Sequence, residues 1–119
     1  MFTAMTRHAR ARLVKAFDAL NRSNDELRRE LVRHKQATGK AVEKMLARAA
    51  TRDAIRTEAM PEIRAELTGA LDRFEEARHE ARLAVFAYLG QLPDVTASDI
   101  GKALGISRQL ASRLANEAG

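Results

Sequence analysis

Apolar residues return at helical spacing over most of the chain. Leu13, Phe17, Leu20, Leu27 and Leu31 follow one another at intervals of 4, 3, 7 and 4, the alternation that keeps one helix face against a neighbour. Asn24 fills the vacant position inside the longest interval. Carried forward, the seam meets His34, Thr38, Ala41 and Met45 and fails at Arg48. The pattern predicts helix from Arg7 to about Met60. Asp18–Arg22 and Asp25–Arg29 add acid-first pairs at the favourable i,i+4 spacing. Two places weaken it. Asn21-Arg22-Ser23-Asn24 admits a break, because Ser23 followed by Glu26 matches a capping box. Gly39 costs about 1 kcal/mol against alanine inside a helix. Asn24 accordingly has two readings, a buried amide that fixes coiled-coil register or part of a break.

Pro61 marks a boundary, since proline suits the first turn of a new helix and disfavours helical angles just before it. A second helix is predicted from Pro61 to about Leu89. Its apolar positions are Ile63, Leu67, Ala70 or Leu71, Phe74, Ala77, Ala81, Val85 and Tyr88 or Leu89. The two long helices would fold as an antiparallel hairpin or pair with a second chain. One stripe per helix is too little to bury alone, so a homodimer is expected, with Leu13, Phe17, Leu20, Asn24, Leu27 and Leu31 as its seam.

The second helix stops at Gly90, with Pro93 shortly after. Two short helices then fit the pattern from Thr96 to Leu114. Thr96 caps the first, with Asp99 at the acid position of a capping box. Ile100, Ala103 and Leu104 form its apolar face, and Gly105 ends it. Ile106 is an apolar plug after the turn. Ser107 caps the next helix, whose buried face is Leu110, Ala111 and Leu114. Two short helices joined by a glycine turn make a helix-turn-helix.

This segment resembles the helix-turn-helix of bacterial transcription regulators, and most closely the core of MarR- and ArsR-like winged-helix repressors. Gly101 inside the first helix, the turn Leu104-Gly105-Ile106-Ser107-Arg108 and inward-facing Leu114 carry the likeness. Val85-Phe86-Ala87-Tyr88-Leu89 and the lead-in Leu92-Pro93-Asp94-Val95 look like the preceding helix of a three-helix core. The likeness covers residues 81–119, about a third of the chain, and is expected to lack the β-hairpin wing. Ala111 stands where such families often have valine or isoleucine. The resemblance implies a dimer on double-stranded DNA. It implies a base-facing set of Ser107, Arg108, Gln109, Ser112, Arg113 and Asn116, because arginine addresses guanine and glutamine addresses adenine in the major groove. Thr96, Ser98 and Lys102 would hold phosphates.

Charge complicates this picture. The chain of 119 residues carries a net charge of +5. Residues 1–60 hold 14 Lys and Arg against 7 Asp and Glu, whereas residues 94–119 hold three of each. The basic field therefore lies on the N-terminal half, where Arg7, Arg10, Arg12 and Lys15 are candidate phosphate contacts. A solvated helix face is the plainer account of the same charges.

Other chemistries find no support. Cysteine is absent, which removes disulfides, thiolate metal sites and a cysteine nucleophile. His8, His34 and His79 are widely separated, so no metal site is expected. Glu75 and Glu76 are adjacent and point about 100° apart on a helix. No Gly-rich phosphate loop exists, so neither a cofactor nor catalysis is expected. No run is apolar and long enough for a membrane span, and no secretory signal is recognisable. A cytoplasmic, nucleoid location is expected.

The expectation is thus an all-α protein, a long helical hairpin or coiled coil followed by a three-helix module. Residues 1–80 would supply oligomerisation and residues 81–119 would read DNA as a transcriptional regulator. The rivals are a coiled-coil adaptor that uses the C-terminal helices for protein contact and a non-specific nucleoid-associated DNA-binding protein.

Overall fold

The computed structural model describes residues 4–47 and 60–119. Residues 48–59, through which the sequence pattern carries the first helix, lie outside the described residues. All regular structure among the described residues is helical: α1 (Ala4–Ala47), α2 (Met60–Leu89), α3 (Ala97–Leu104) and α4 (Arg108–Ala118). Pro61 sits in the first turn of α2, where its missing N–H costs nothing. No described helix is long and apolar enough to cross a membrane.

Helix α1 runs through Asn21–Asn24 without interruption. The Ser23–Glu26 capping box therefore does not form: Ser23 is a buried interior residue, and Glu26 bonds to Arg73 instead. Straight-chain and alanine neighbours keep helix propensity high on both sides, and the helix continues.

Contacts divide the chain into two compact units. The first joins residues 1–21 to residues 76–119, and the second is the intervening 22–75. The boundary expected at residue 80 is not where the contacts divide. The C-terminal helices α3 and α4 share their unit with the start of α1.

The core of the first unit is Leu83, Val85, Phe86, Ile100, Ala111 and Leu114. Half-buried Leu13, Leu89, Val95, Ile106 and Leu110 pack around it. A smaller cluster of Ala16, Ala81 and Ala84 lies beside it, flanked by Leu13 and Leu20. Arg12 Nε donates to Glu80 Oε1 at 2.8 Å. The three terminal helices thus gain a fourth wall from α1, because three short apolar faces leave Leu13-sized surface to cover.

In the second unit α1 and α2 run antiparallel. Glu26 pairs with Arg73, and Arg33 pairs with Glu66, so advance along α1 matches retreat along α2. These contacts settle that the helices pair within the chain here. On α1 the inward positions are Ser23, Leu27, Glu30, His34, Ala37 and Ala41, and on α2 they are Ile63, Leu67, Ala70 and Phe74. Leu71, the alternative to Ala70, is 41% exposed while Ala70 is fully buried.

The inward face differs from the expected seam by one residue at every second position. In the first unit Leu13 and Leu20 turn inward with Ala9 and Ala16, and Phe17 stays exposed. In the second, Leu27 turns inward with Ser23 and Glu30, and Asn24 and Leu31 are exposed. Small residues decide this. Alternating Leu with Ala or Ser lets neighbouring backbones approach and interdigitate, whereas a face containing Phe17 and Leu31 would hold them apart.

The second unit buries little. Among its described residues only Ser23, Ala41 and Ala70 are buried, and none is larger than alanine by more than a hydroxyl. Glu30 occupies an inward position with Oε2 buried and unpartnered. Leu31, Val32, Val42, Met45, Leu46 and Leu71 are all exposed. The ion pairs lie along one edge of the helix pair. Heptad spacing places Asn24, Leu31, Thr38 and Met45 of α1 with Arg64 and Leu71 of α2 along the other.

Candidate nucleic-acid interface

The module begins where α2 ends. Asp94 takes a left-handed conformation at φ 66°, tolerated by aspartate better than by most side chains. Thr96 then starts α3 with a complete capping box. Asp99 N donates to Thr96 Oγ1 at 3.1 Å, and Thr96 N donates to Asp99 Oδ2 at 3.0 Å. Hydrogen bonding to the carboxyl from the Thr96 backbone first, then from the Thr96 side chain, with the charge of Lys102 behind them, holds Asp99 below its ordinary pKa of 3.8.

Helix α3 ends at Gly105, whose φ is 69°. Only glycine takes this angle without strain. Gly105 N donates to Lys102 O, and Ile106 N donates to Gly101 O at 3.0 Å. This is the two-bond Schellman closure, completed by Ile106 folding onto the core. Ser107 opens α4, its Oγ accepting from Leu110 N at 3.1 Å. The cap sequence Thr96, Gly105, Ser107 therefore acts as anticipated.

The inner faces differ in part. Ile100 and Gly101 are buried in α3, whereas Ala103 and Leu104 are exposed. Gly101 turns inward because α4 passes very close: a methyl added there would stand 2.7 Å from Ala111 Cβ. Ala111 is fully buried and Leu114 nearly so, with Leu110 half-buried.

All six residues of the expected base-facing set are exposed: Ser107, Arg108, Gln109, Ser112, Arg113 and Asn116. At about 100° per residue the five within α4 span an arc of about 140°. Arg108 and Arg113 stand at its two margins, with Ser112, Asn116 and Gln109 between them. The opposite side carries Ala111, Leu114 and Ala118 and packs inward.

The sequence shows this segment as electrically neutral, and the structure sorts its charges. Asp99 is held in the α3 cap. Glu117 Oε1 lies 2.9 Å from His79 Nε2 on α2, and Asp94 lies in the lead-in loop. None of the three acids belongs to the exposed arc, whose only charges are Arg108 and Arg113. His79 was not singled out from sequence, and a lone histidine 38 residues from its partner leaves no signal there.

The phosphate candidates fall into three groups. Ser98, Lys102 and Arg108 line one cleft of about 310 Å³ together with Gly101 and Ile106. Thr96 is exposed, with its oxygen engaged by the cap. On α1, Arg7, Arg10 and Lys15 are exposed, but Arg12 is half-buried. The Arg12 guanidinium is pushed above its ordinary range by its hydrogen bond to Glu80, against the smaller effect of burial. It is committed to an internal ion pair.

Among the described residues no group of His, Asp and Glu could hold a metal ion. The chain matches no known protein family, and no curated protein or solved structure is significantly similar to it.

Proposed function

We propose that this protein binds double-stranded DNA with sequence preference, through α4, as a dimeric transcriptional regulator of the nucleoid. The observation that carries this reading is the acid-free polar arc of α4, set on a helix-turn-helix whose caps and turn are complete. An α-helix fits the major groove, and Arg, Gln and Asn are the side chains that address guanine and adenine edges. The resemblance of residues 81–119 to regulator modules points the same way.

Dimerisation falls to the second unit. Its helix pair has no core of large residues, and one edge presents Leu31, Met45 and Leu71 to solvent. A second copy covering that edge would supply the missing burial. Two copies would then offer two α4 helices to half-sites about one helical turn apart.

The test is selection from random duplexes by the full chain at about 150 mM salt, where non-specific phosphate binding is weakened. An enriched motif with two related halves is expected. Retention without enrichment would favour a nucleoid-coating protein, and no retention would favour the adaptor.

A further inference from the structure

The cleft between α3 and the start of α4 separates one cation from the rest of the arc. Ser98 and Lys102 come from α3 and Arg108 from α4, with Gly101 and Ile106 completing the lining. Its lining holds one hydroxyl and two cations, and no carboxylate. The neighbouring acid, Asp99, has its carboxylate in the cap, where Oδ2 accepts from Thr96 N at 3.0 Å. Arg108 has no ion-pair partner among the described residues, so its guanidinium is free to bond an anion. An anion of tetrahedral oxygens suits this set, since arginine presents a planar fork and lysine a point charge.

The position of Arg108 on α4 fits the same role. It stands at the margin of the arc nearest α3, about 100° from Gln109. The two side chains therefore cannot aim at the same base edge. In helix-turn-helix docking the first helix crosses the DNA backbone while the second enters the groove. A cleft shared by both helices faces the strand that borders the groove.

We propose that Ser98, Lys102 and Arg108 together seat one backbone phosphate of duplex DNA, so that Arg108 anchors the module and does not read sequence. Sequence readout then rests on Gln109, Ser112, Asn116 and Arg113. This rests on the DNA-binding reading above and removes two residues from the base-facing set: Arg108, and Ser107, whose Oγ accepts from Leu110 N in the α4 cap. The phosphate fixes the register from which Gln109 reaches its base.

The experiment compares the full-length wild type with Arg108→Ala, Arg108→Lys, Lys102→Ala and Gln109→Ala. Each is titrated on the selected duplex and on random duplex over a range of salt, and each is put through the same selection. All three sites are exposed, and circular dichroism verifies that the helices persist. Arg108→Ala and Lys102→Ala are expected to weaken both duplexes equally, by about tenfold, and to lower the salt slope by about one. The selected motif stays the same. Arg108→Lys recovers most of the loss, because a point charge still meets a phosphate. Gln109→Ala changes the motif at one position and leaves the salt slope unaltered. A changed motif in Arg108→Ala, or failure of lysine to rescue, overturns the proposal and leaves the DNA-binding reading standing. A wild type that binds no duplex overturns both.

Discussion

Gly101 and Ala111 mark the point where α3 and α4 come closest, with room for no methyl group between them. The pair sets the angle at which α4 is presented. Ala111 is fully buried at this contact, which is therefore built from small residues on both sides. Gly101→Ala is expected to lower stability by about 1–3 kcal/mol through overpacking. Thermal unfolding of Gly101→Ala and of Gly101→Ala/Ala111→Gly checks this. The double variant should regain part of the loss, and equal melting of wild type and Gly101→Ala would dismiss the contact.

The Thr96–Asp99 box makes stability depend on pH in a stated direction. The Asp99 pKa is lowered in the fold, so its contribution is fully present above the ordinary value of 3.8. It is lost as pH falls through the lower folded value. Urea midpoints of wild type and Asp99→Asn should differ at neutral pH and converge in acid. Thr96→Ala should cost about 1 kcal/mol at neutral pH, as lost caps do.

Glu30 burdens the second unit. Its Oε2 is buried without a hydrogen-bond partner, and such a group carries an uncompensated desolvation cost. Glu30→Leu is expected to stabilise the chain by about 1 kcal/mol or more, by adding apolar burial where the cost was. A lower denaturant midpoint would show that the ion pair of Glu30 Oε1 with Arg33, at 3.9 Å, outweighs that cost.

Leu27 and Leu31 separate pairing within the chain from pairing between chains. Leu27 is half-buried against the chain's own α2, and Leu31 is 49% exposed. Leu31→Glu should yield a helical monomer by light scattering at micromolar concentration. Leu27→Asp should instead reduce helicity and thermal stability. A wild type that is already monomeric would remove the dimer from the proposed function.

Arg7, Arg10 and Lys15 are exposed on α1, in the same unit as α3 and α4. Replacing the three with Gln should weaken binding to specific and random duplexes alike and flatten the salt slope. Arg12 is left in place because it holds Glu80. Matching slopes would reduce the three charges to a solvated surface.

Local chemistry was the legible part of the sequence. Thr96, Gly105 and Ser107 announce their caps because capping depends on one side chain and three neighbouring amides. The helical character of α1 and α2 follows equally from periodicity. The inward face of α1 did not, because Leu13, Leu20 and Leu27 are compatible with either Phe17 and Leu31 or Ala16 and Ser23 as companions. Choosing between them depends on how near the partner helix lies, which is a property of both helices. The sequestering of Glu117 by His79 and the wall that Leu13 adds to the core are also long-range. Charge counting over residues 94–119 could not reveal that the acids avoid the exposed arc, since it ignores direction.

Helices α3 and α4 share their compact unit with residues more than fifty positions upstream. During synthesis at about 5–20 residues per second, the segment carrying Leu13 and Ala16 leaves the ribosome seconds before Phe86 and Leu114 exist to receive it. Its apolar stripe is without a native partner through that interval. Assembly of the unit therefore waits until residues 76–119 have been made, and it depends on closing a long loop, an entropic cost that local helix formation avoids. A fragment holding residues 81–119 alone would inherit the caps and the polar arc but would leave bare the surface that Leu13 covers. Correctly capped α3 and α4 helices on an unstable base are the expected result of such a truncation.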